Sequence, residues 1–237
     1  MNQKILIISD THLTPKFNKN KYKELKILFT KFDKIILNGD ILDNFWNYKK
    51  TINSKWSELF KILKTKETIY IYGNHDPKSP QLLDQITKFT KHQTSNYTLK
   101  IQDKELIIFH GDQICPMPTN YLNKKSTNNR QKTLKFLLQK WRLIGYPLAL
   151  TYMKISQKYP NTLGKSYINS IKKENNKMKE YGLNKFTKNQ ILICGHSHYS
   201  QIDLKNNFIN SGANCYNKLQ YITIINNKIK LETKKLN

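Results

Sequence analysis

The chain has 237 residues, with 41 Lys and Arg against 16 Asp and Glu and a formal net charge of +25. That length suits one domain with room for an insertion. No run approaches the roughly 18 apolar residues of a membrane-spanning helix, and the three widely spaced cysteines, Cys115, Cys194 and Cys215, propose no disulfide framework.

The charge suggests an anionic partner: a phosphorylated metabolite, an acidic membrane surface or, less favoured, nucleic acid. The abundance of Lys, Asn, Ile and Tyr is also what AT-rich codons produce, so the charge speaks to partners and not to chemistry. In chain order, residues 4–9 read as a buried first strand, because Ile5-Leu6-Ile7-Ile8 runs straight into Ser9-Asp10. The run is too short for a signal peptide and lacks a small-residue cleavage site, so a cytoplasmic protein is expected. Helical spacing predicts helices over 21–32 and 52–63, with strands at 34–38 and 68–72. This alternation predicts an α/β domain with a mostly parallel start. Residues 97–101 and 105–109 read as a hairpin.

The segment 112–189 is helix-like and rich in Lys and Asn, with candidate helices at 130–141, 146–158 and 165–181. Strands resume at 190–194, 201–204, 219–225 and 228–232. The segment is therefore expected to be a helical cap inserted within a single domain spanning 1–237.

The chemistry is carried by the places where histidines fall. Of six in the chain, five follow a predicted strand beside Asp, Asn, Gly or another His. His12 lies in Ser9-Asp10-Thr11-His12, and Asp40 in Asn38-Gly39-Asp40. Asn74 and His75 lie in Gly73-Asn74-His75-Asp76. His110 opens His110-Gly111-Asp112, and His196 and His198 lie in Gly195-His196-Ser197-His198. Strand C-termini of an α/β sheet open onto one crevice, where these groups can converge. Imidazole and carboxylate ligands together suit first-row divalent ions such as Mn, Fe, Zn or Ni. His92 stands outside every motif and reads as a surface residue.

The ordered set Asp-x-His, Gly-Asp, Gly-Asn-His-Asp, His-Gly-Asp and Gly-His-Ser-His resembles the calcineurin-like metallophosphoesterases, with motifs from residue 10 to residue 198. The resemblance implies a four-layer α/β-β/α sandwich with a dinuclear centre of two divalent ions, manganese being the first expectation. Carried over motif by motif, it implies that Asp10, His12, Asp40 and His198 hold one ion. Asp40 then bridges to a second ion held by Asn74, His110 and His196.

Two ions roughly 3.5–4 Å apart can share a hydroxide that attacks phosphorus in line. The departing oxygen then needs a proton. His75 is not required as a ligand and is the candidate general acid. In relatives with Gly-Asp-x-x-Asp the second Asp, here Asp43, orients the catalytic His and favours its protonated form.

A narrower resemblance, to the UDP-2,3-diacylglucosamine diphosphatases, rests on residues 38–46, on 110–115 and on the helical insertion before Gly195. It implies a lipid- or nucleotide-linked diphosphate substrate; the apolar stretch at 141–153, with lysines nearby, reads as the buried face of the cap, as a slot for acyl chains or as a face in peripheral contact with the inner face of an anionic membrane. Those enzymes carry Gly-Asn-Arg-Asp and a Glu where this chain has His75 and Asp43. The latter pair resembles the general phosphodiesterase pattern, so a phosphodiesterase acting on nucleotides or nucleic acid is the alternative. A non-catalytic scaffold of the same fold is a third reading.

Overall fold

The computed structural model describes residues 3–43, 47–116, 151–152, 155–156, 159, 161–162, 164–214 and 217–236. The expected helix at 130–141, most of that at 146–158, Phe45, Trp46 and Cys215 lie outside those residues.

Strands β1 (Ile5–Ile8), β2 (Lys34–Asn38), β3 (Glu67–Ile71), β4 (His92–Thr94), β10 (Lys218–Ile225) and β11 (Lys228–Lys235) form one sheet in the order β11-β10-β1-β2-β3-β4. The β1-β2, β2-β3 and β3-β4 pairs are parallel. A second sheet, ordered β5-β6-β7-β9-β8, takes β5 (Tyr97–Ile101), β6 (Lys104–Ile108), β7 (Gln190–Cys194), β8 (Gln201–Asp203) and β9 (Phe208–Asn210).

The sheets are held face to face by alternation. Ile5, Ile7, Ile36, Ile69 and Ile71 of the first sheet join Leu106, Ile108, Ile191, Ile193 and Ile209 of the second in one cluster. The intervening residues Leu6, Ile8, Ile35, Leu37 and Tyr70 pack outward against Leu25 and Phe29 of α1 (Lys19–Lys31) and Leu59 and Leu63 of α3 (Ser57–Lys64). Between these helices lies the short α2 (Tyr48–Ile52), and α4 (Pro80–Ile86) follows β3. On the far side, Leu192, Cys194 and Phe208 pack against Met178 of α5 (Lys165–Lys185). The result is four layers, α/β-β/α. Strands buried on both faces read as continuous apolar runs, which is how β1, β2 and β7 appear in the sequence.

The helix expected over 52–63 is interrupted. Asn53 ends α2, the Ser54 hydroxyl donates back to the Thr51 carbonyl, and the chain turns so that Trp56 is buried and its Nε1 donates to the Thr14 carbonyl at 2.7 Å. The tertiary contact of one indole outweighs helix propensity over those four residues. Helix α5, the C-terminal part of the segment expected to be a cap, lays Ile171, Asn175, Met178 and Gly182 inward. Among the described residues no helix is long and apolar enough to cross a membrane.

Candidate metal centre

The loops leaving the strands run on beside one another instead of diverging. After β1 and β2 the chain continues in parallel register: Asp10 N donates to the Gly39 carbonyl, His12 N to that of Asp40 and Leu13 N to that of Ile41. Gly195 N donates to the His110 carbonyl across β7 and β6, and Asn214 N to the Asp10 carbonyl, tying the two sheets' loops together. Gly39, at φ +77°, makes the turn after β2, and a Cβ there would lie 2.4 Å from His110 Nδ1. Only glycine lets the imidazole ring lie against that turn.

Five of the motif side chains stand on left-handed backbone: Asp10 (φ 51°), His12 (43°), Asp40 (53°), His196 (66°) and His198 (60°). Each such residue costs about 1–2 kcal/mol relative to ordinary backbone, a cost that clusters at functional sites when the surrounding structure enforces it.

These turns bring together the residues singled out in the sequence. His198 Nε2 lies 3.2 Å from Asp10 Oδ1, and His12 Nε2 lies 3.3 Å from His198 Nε2 and 4.0 Å from both Asp10 Oδ1 and Asp40 Oδ2. His110 Nε2 lies 3.3 Å from Asp40 Oδ2, and His196 Nδ1 lies 2.9 Å from Asn74 Oδ1. Two groups thus have ligand atoms mutually within 4.8 Å, Asp10-His12-His198 and Asp40-His110-His196, and a third comprises His12, Asp43 and His75. His75 Nδ1 is 3.4 Å from Asp43 Oδ1, and its backbone N–H donates to Asp40 Oδ1 at 2.7 Å. His92 sits apart, exposed on edge strand β4.

A family model for calcineurin-like phosphoesterases matches residues 3–200. The chain belongs to this family. Among solved structures it is similar to Yfce, a phosphoesterase from E. coli, at 12% identity and a TM-score of 0.46, covering 99% of this chain and 100% of that one. It is similar also to a dimetal phosphatase from Danio rerio (8% identity, TM-score 0.45, 99% of each chain). A third similar structure is Vacuolar Protein Sorting 29 from Cryptosporidium parvum (14% identity, TM-score 0.41, 99% of this chain and 97% of that one). No curated protein matches the chain.

The donor set of this calcineurin-like phosphoesterase fits divalent ions. Metal-binding imidazoles usually donate their second ring nitrogen to a carbonyl or carboxylate, which fixes the tautomer. His110 Nδ1 lies 2.9 Å from the Asn38 carbonyl and His196 Nε2 lies 2.7 Å from that of Cys115, so His110 Nε2 and His196 Nδ1 turn inward. Asp10 Oδ1 and His110 Nε2 are buried and make no well-formed hydrogen bond, the state expected of atoms meant for an ion.

The electrostatics agree for His12 and His196, whereas His110 is raised, its burial outweighed by Asp40 and Asp10. Burial, reinforced by the charge of His75, holds His12 down to about 3; burial, with His110, holds His196 down to about 4. Both rings are neutral at physiological pH, with lone pairs free to ligate. Burial opposes ionisation of Asp10 and Asp40, yet His110 and the neighbouring rings keep both below the usual carboxylate range. Burial also pulls His75 down, but Asp40 and Asp43 outweigh it and raise His75 to about 9. His75 therefore carries a proton at neutral pH.

Supporting residues lie behind these side chains, of which Asn175 carries no local sequence signal. Asp76 accepts from the backbone N–H groups of Asp40, Ile41, Leu42 and Gly73 and from the Tyr70 hydroxyl, so one carboxylate organises both the Gly-Asp and the Gly-Asn-His-Asp turns. Asn175 of α5, 1% exposed, accepts at Oδ1 from Ser197 Oγ (3.0 Å) and Asn210 Nδ2 (2.8 Å). Asn210 Nδ2 also donates to the Gly195 carbonyl at 2.7 Å. The loop bearing His196 and His198 is thereby clamped from α5 and from the end of β9.

Proposed function

We propose that the chain is a metal-dependent phosphohydrolase whose two ions are held by Asp10, His12, Asp40 and His198 and by Asp40, Asn74, His110 and His196. The observation that carries this reading is the pair of adjacent donor clusters, Asp10-His12-His198 and Asp40-His110-His196, with Asp40 Oδ2 also 4.0 Å from His12 Nε2. Two bound divalent ions would supply an activated water and neutralise charge on the phosphoryl oxygens.

The chain's own residues account for the rest. Asp40, ionised and buried, faces both clusters. His75, protonated and held against Asp43, is placed to deliver a proton to the departing oxygen and so to spare it an unfavourable negative charge.

For the substrate, the proposal is a nucleotide-linked or lipid-linked diphosphate, hydrolysed in the cytoplasm or at the membrane's inner face. Its support is the sequence resemblance to the UDP-2,3-diacylglucosamine diphosphatases. A phosphodiesterase acting on nucleotides is the second reading, favoured by the His75–Asp43 pair. A panel of UDP-diacylglucosamine, cyclic nucleotides and single-stranded DNA, assayed with Mn²⁺, separates them. Preferred hydrolysis of the diphosphate supports the first; turnover of cyclic nucleotides or DNA alone sinks it. No turnover of any member, with metals bound, favours a scaffold.

A further inference from the structure

Beside the donor clusters lies a cavity of about 490 Å³ that shares His12 with them. Its size falls in the range of small-molecule sites, roughly 300–1,000 Å³. The lining includes Lys16, Lys19 and Lys21, and no carboxylate is among its described lining residues. Lys16 and Lys19 are exposed, whereas Lys21 is buried and donates its ammonium to the Thr11 carbonyl, in the middle of the Asp-x-His motif. An apolar side is formed by Phe17 and Trp56, whose rings pack 5.0 Å apart. A concave surface lined with one sign of charge and a low-dielectric wall attracts a group of opposite charge.

We propose that this cavity binds a phosphate-bearing arm of the substrate, of the chemical class of a nucleoside monophosphate. The lysines take its phosphate, and Phe17 takes its planar ring. The inference rests on the phosphohydrolase reading above, and its geometry follows from the two-sided site. His12 comes from the first sheet, on the α1 side, whereas His196 and His198 come from the second sheet, against α5. A diphosphate diester has two arms flanking the reacting phosphorus. The arm lying toward His12 enters the cavity, and the other lies toward α5.

The test is calorimetric titration of the full, Mn²⁺-loaded chain with uridine and adenosine monophosphates, with ribose 5-phosphate and with inorganic phosphate. Lys16→Glu/Lys19→Glu is expected to weaken the nucleotides about tenfold, in keeping with charge-assisted contacts to phosphate, and to change inorganic phosphate, which reaches the metals directly, much less. Phe17→Ala is expected to weaken the nucleotides but not ribose 5-phosphate.

Because the whole chain is basic, Lys228→Glu/Lys230→Glu on exposed positions of β11, at the end away from the cavity-lining Leu236, provides the same charge change outside the cavity lining. Equal weakening in that control, equal weakening of inorganic phosphate, or no weakening at all overturns the proposal, and ribose 5-phosphate binding as tightly as the nucleotides removes the ring contact. Melting temperatures of the variants show that each is folded. Nucleotide binding that depends on Lys16 and Lys19 in a protein that hydrolyses no diphosphate keeps the cavity as a nucleotide site and sinks only the phosphohydrolase reading.

Discussion

His12 and His198, 186 positions apart in the chain, turn their Nε2 atoms toward each other at 3.3 Å with Asp10 Oδ1 beside them. Two ring nitrogens so placed must either share one proton or share a cation. Burial keeps His12 unprotonated, and the left-handed backbone at both residues holds the rings in place at a conformational cost. A cation shared by the two nitrogens and Asp10 would account for all three facts.

Asp40 is expected to be the least replaceable residue of the site. Asp40→Asn removes a buried charge that faces both clusters, so at least one ion is lost and turnover nearly vanishes. Metal content by mass spectrometry, beside the rate, checks this. Two ions retained at full occupancy would contradict it.

His75→Ala is expected to keep both ions and to lower the rate by about 10²–10⁴ on substrates with poor leaving groups, the usual contribution of a general acid. The loss is smaller on p-nitrophenyl esters, whose leaving group needs no proton. Asp43→Asn follows the same pattern more weakly, because it removes one of the two carboxylates that hold the proton on His75. Loss of metal from His75→Ala would show the role to be wrong.

The metal-free protein should be most stable near neutral pH. His75 is raised from 6.5 to about 9, so its contribution is complete below about 6.5 and is lost as pH climbs through about 9. His12 and His196 are lowered to about 3 and about 4, so they cost stability as pH falls below about 6.5, where only the unfolded chain takes up their protons. Thermal unfolding of metal-stripped protein against pH should fall on both sides. His75→Gln should flatten the alkaline limb without abolishing it, since His110 is also raised, its burial outweighed by Asp40 and Asp10.

Asn175→Ala leaves the Ser197 hydroxyl without its buried acceptor and removes one of those of Asn210, and is expected to cost about 1–3 kcal/mol. It should also weaken metal affinity through the loosened His196–His198 loop. Asn175→Asp keeps the acceptor oxygen and should restore metal binding in part. Calorimetric titration of Mn²⁺ separates the loop effect from a general loss of stability, and equal metal affinity in all three proteins would show that Asn175 serves packing alone.

Much of this site was legible because each motif is local. Asp10-x-His12, Gly39-Asp40, Asn74-His75 and His196-x-His198 each sit at the end of an apolar run, and parallel strands deliver their C-termini to one edge. Asp76 closes the Gly-Asn-His-Asp motif, but its partner Asp40, 36 positions away, was not legible, nor was Asn175, which meets Asn210 across 35 positions with no shared pattern. The break at Asn53 is set by the distant Thr14 carbonyl that Trp56 seeks. Strand β4, His92-Gln93-Thr94, has too little apolar alternation to announce itself. Helix α4 is different: Ser79 caps it and Pro80 opens it, a start signal present in the sequence.

The most direct measurement is a crystal structure of the protein grown with manganese, with the ions located by anomalous scattering. Two peaks about 3.5–4 Å apart are expected, one among Asp10, His12 and His198, the other among Asn74, His110 and His196, with Asp40 between them. A single ion, or none, among these side chains in fully supplied protein would contradict the account.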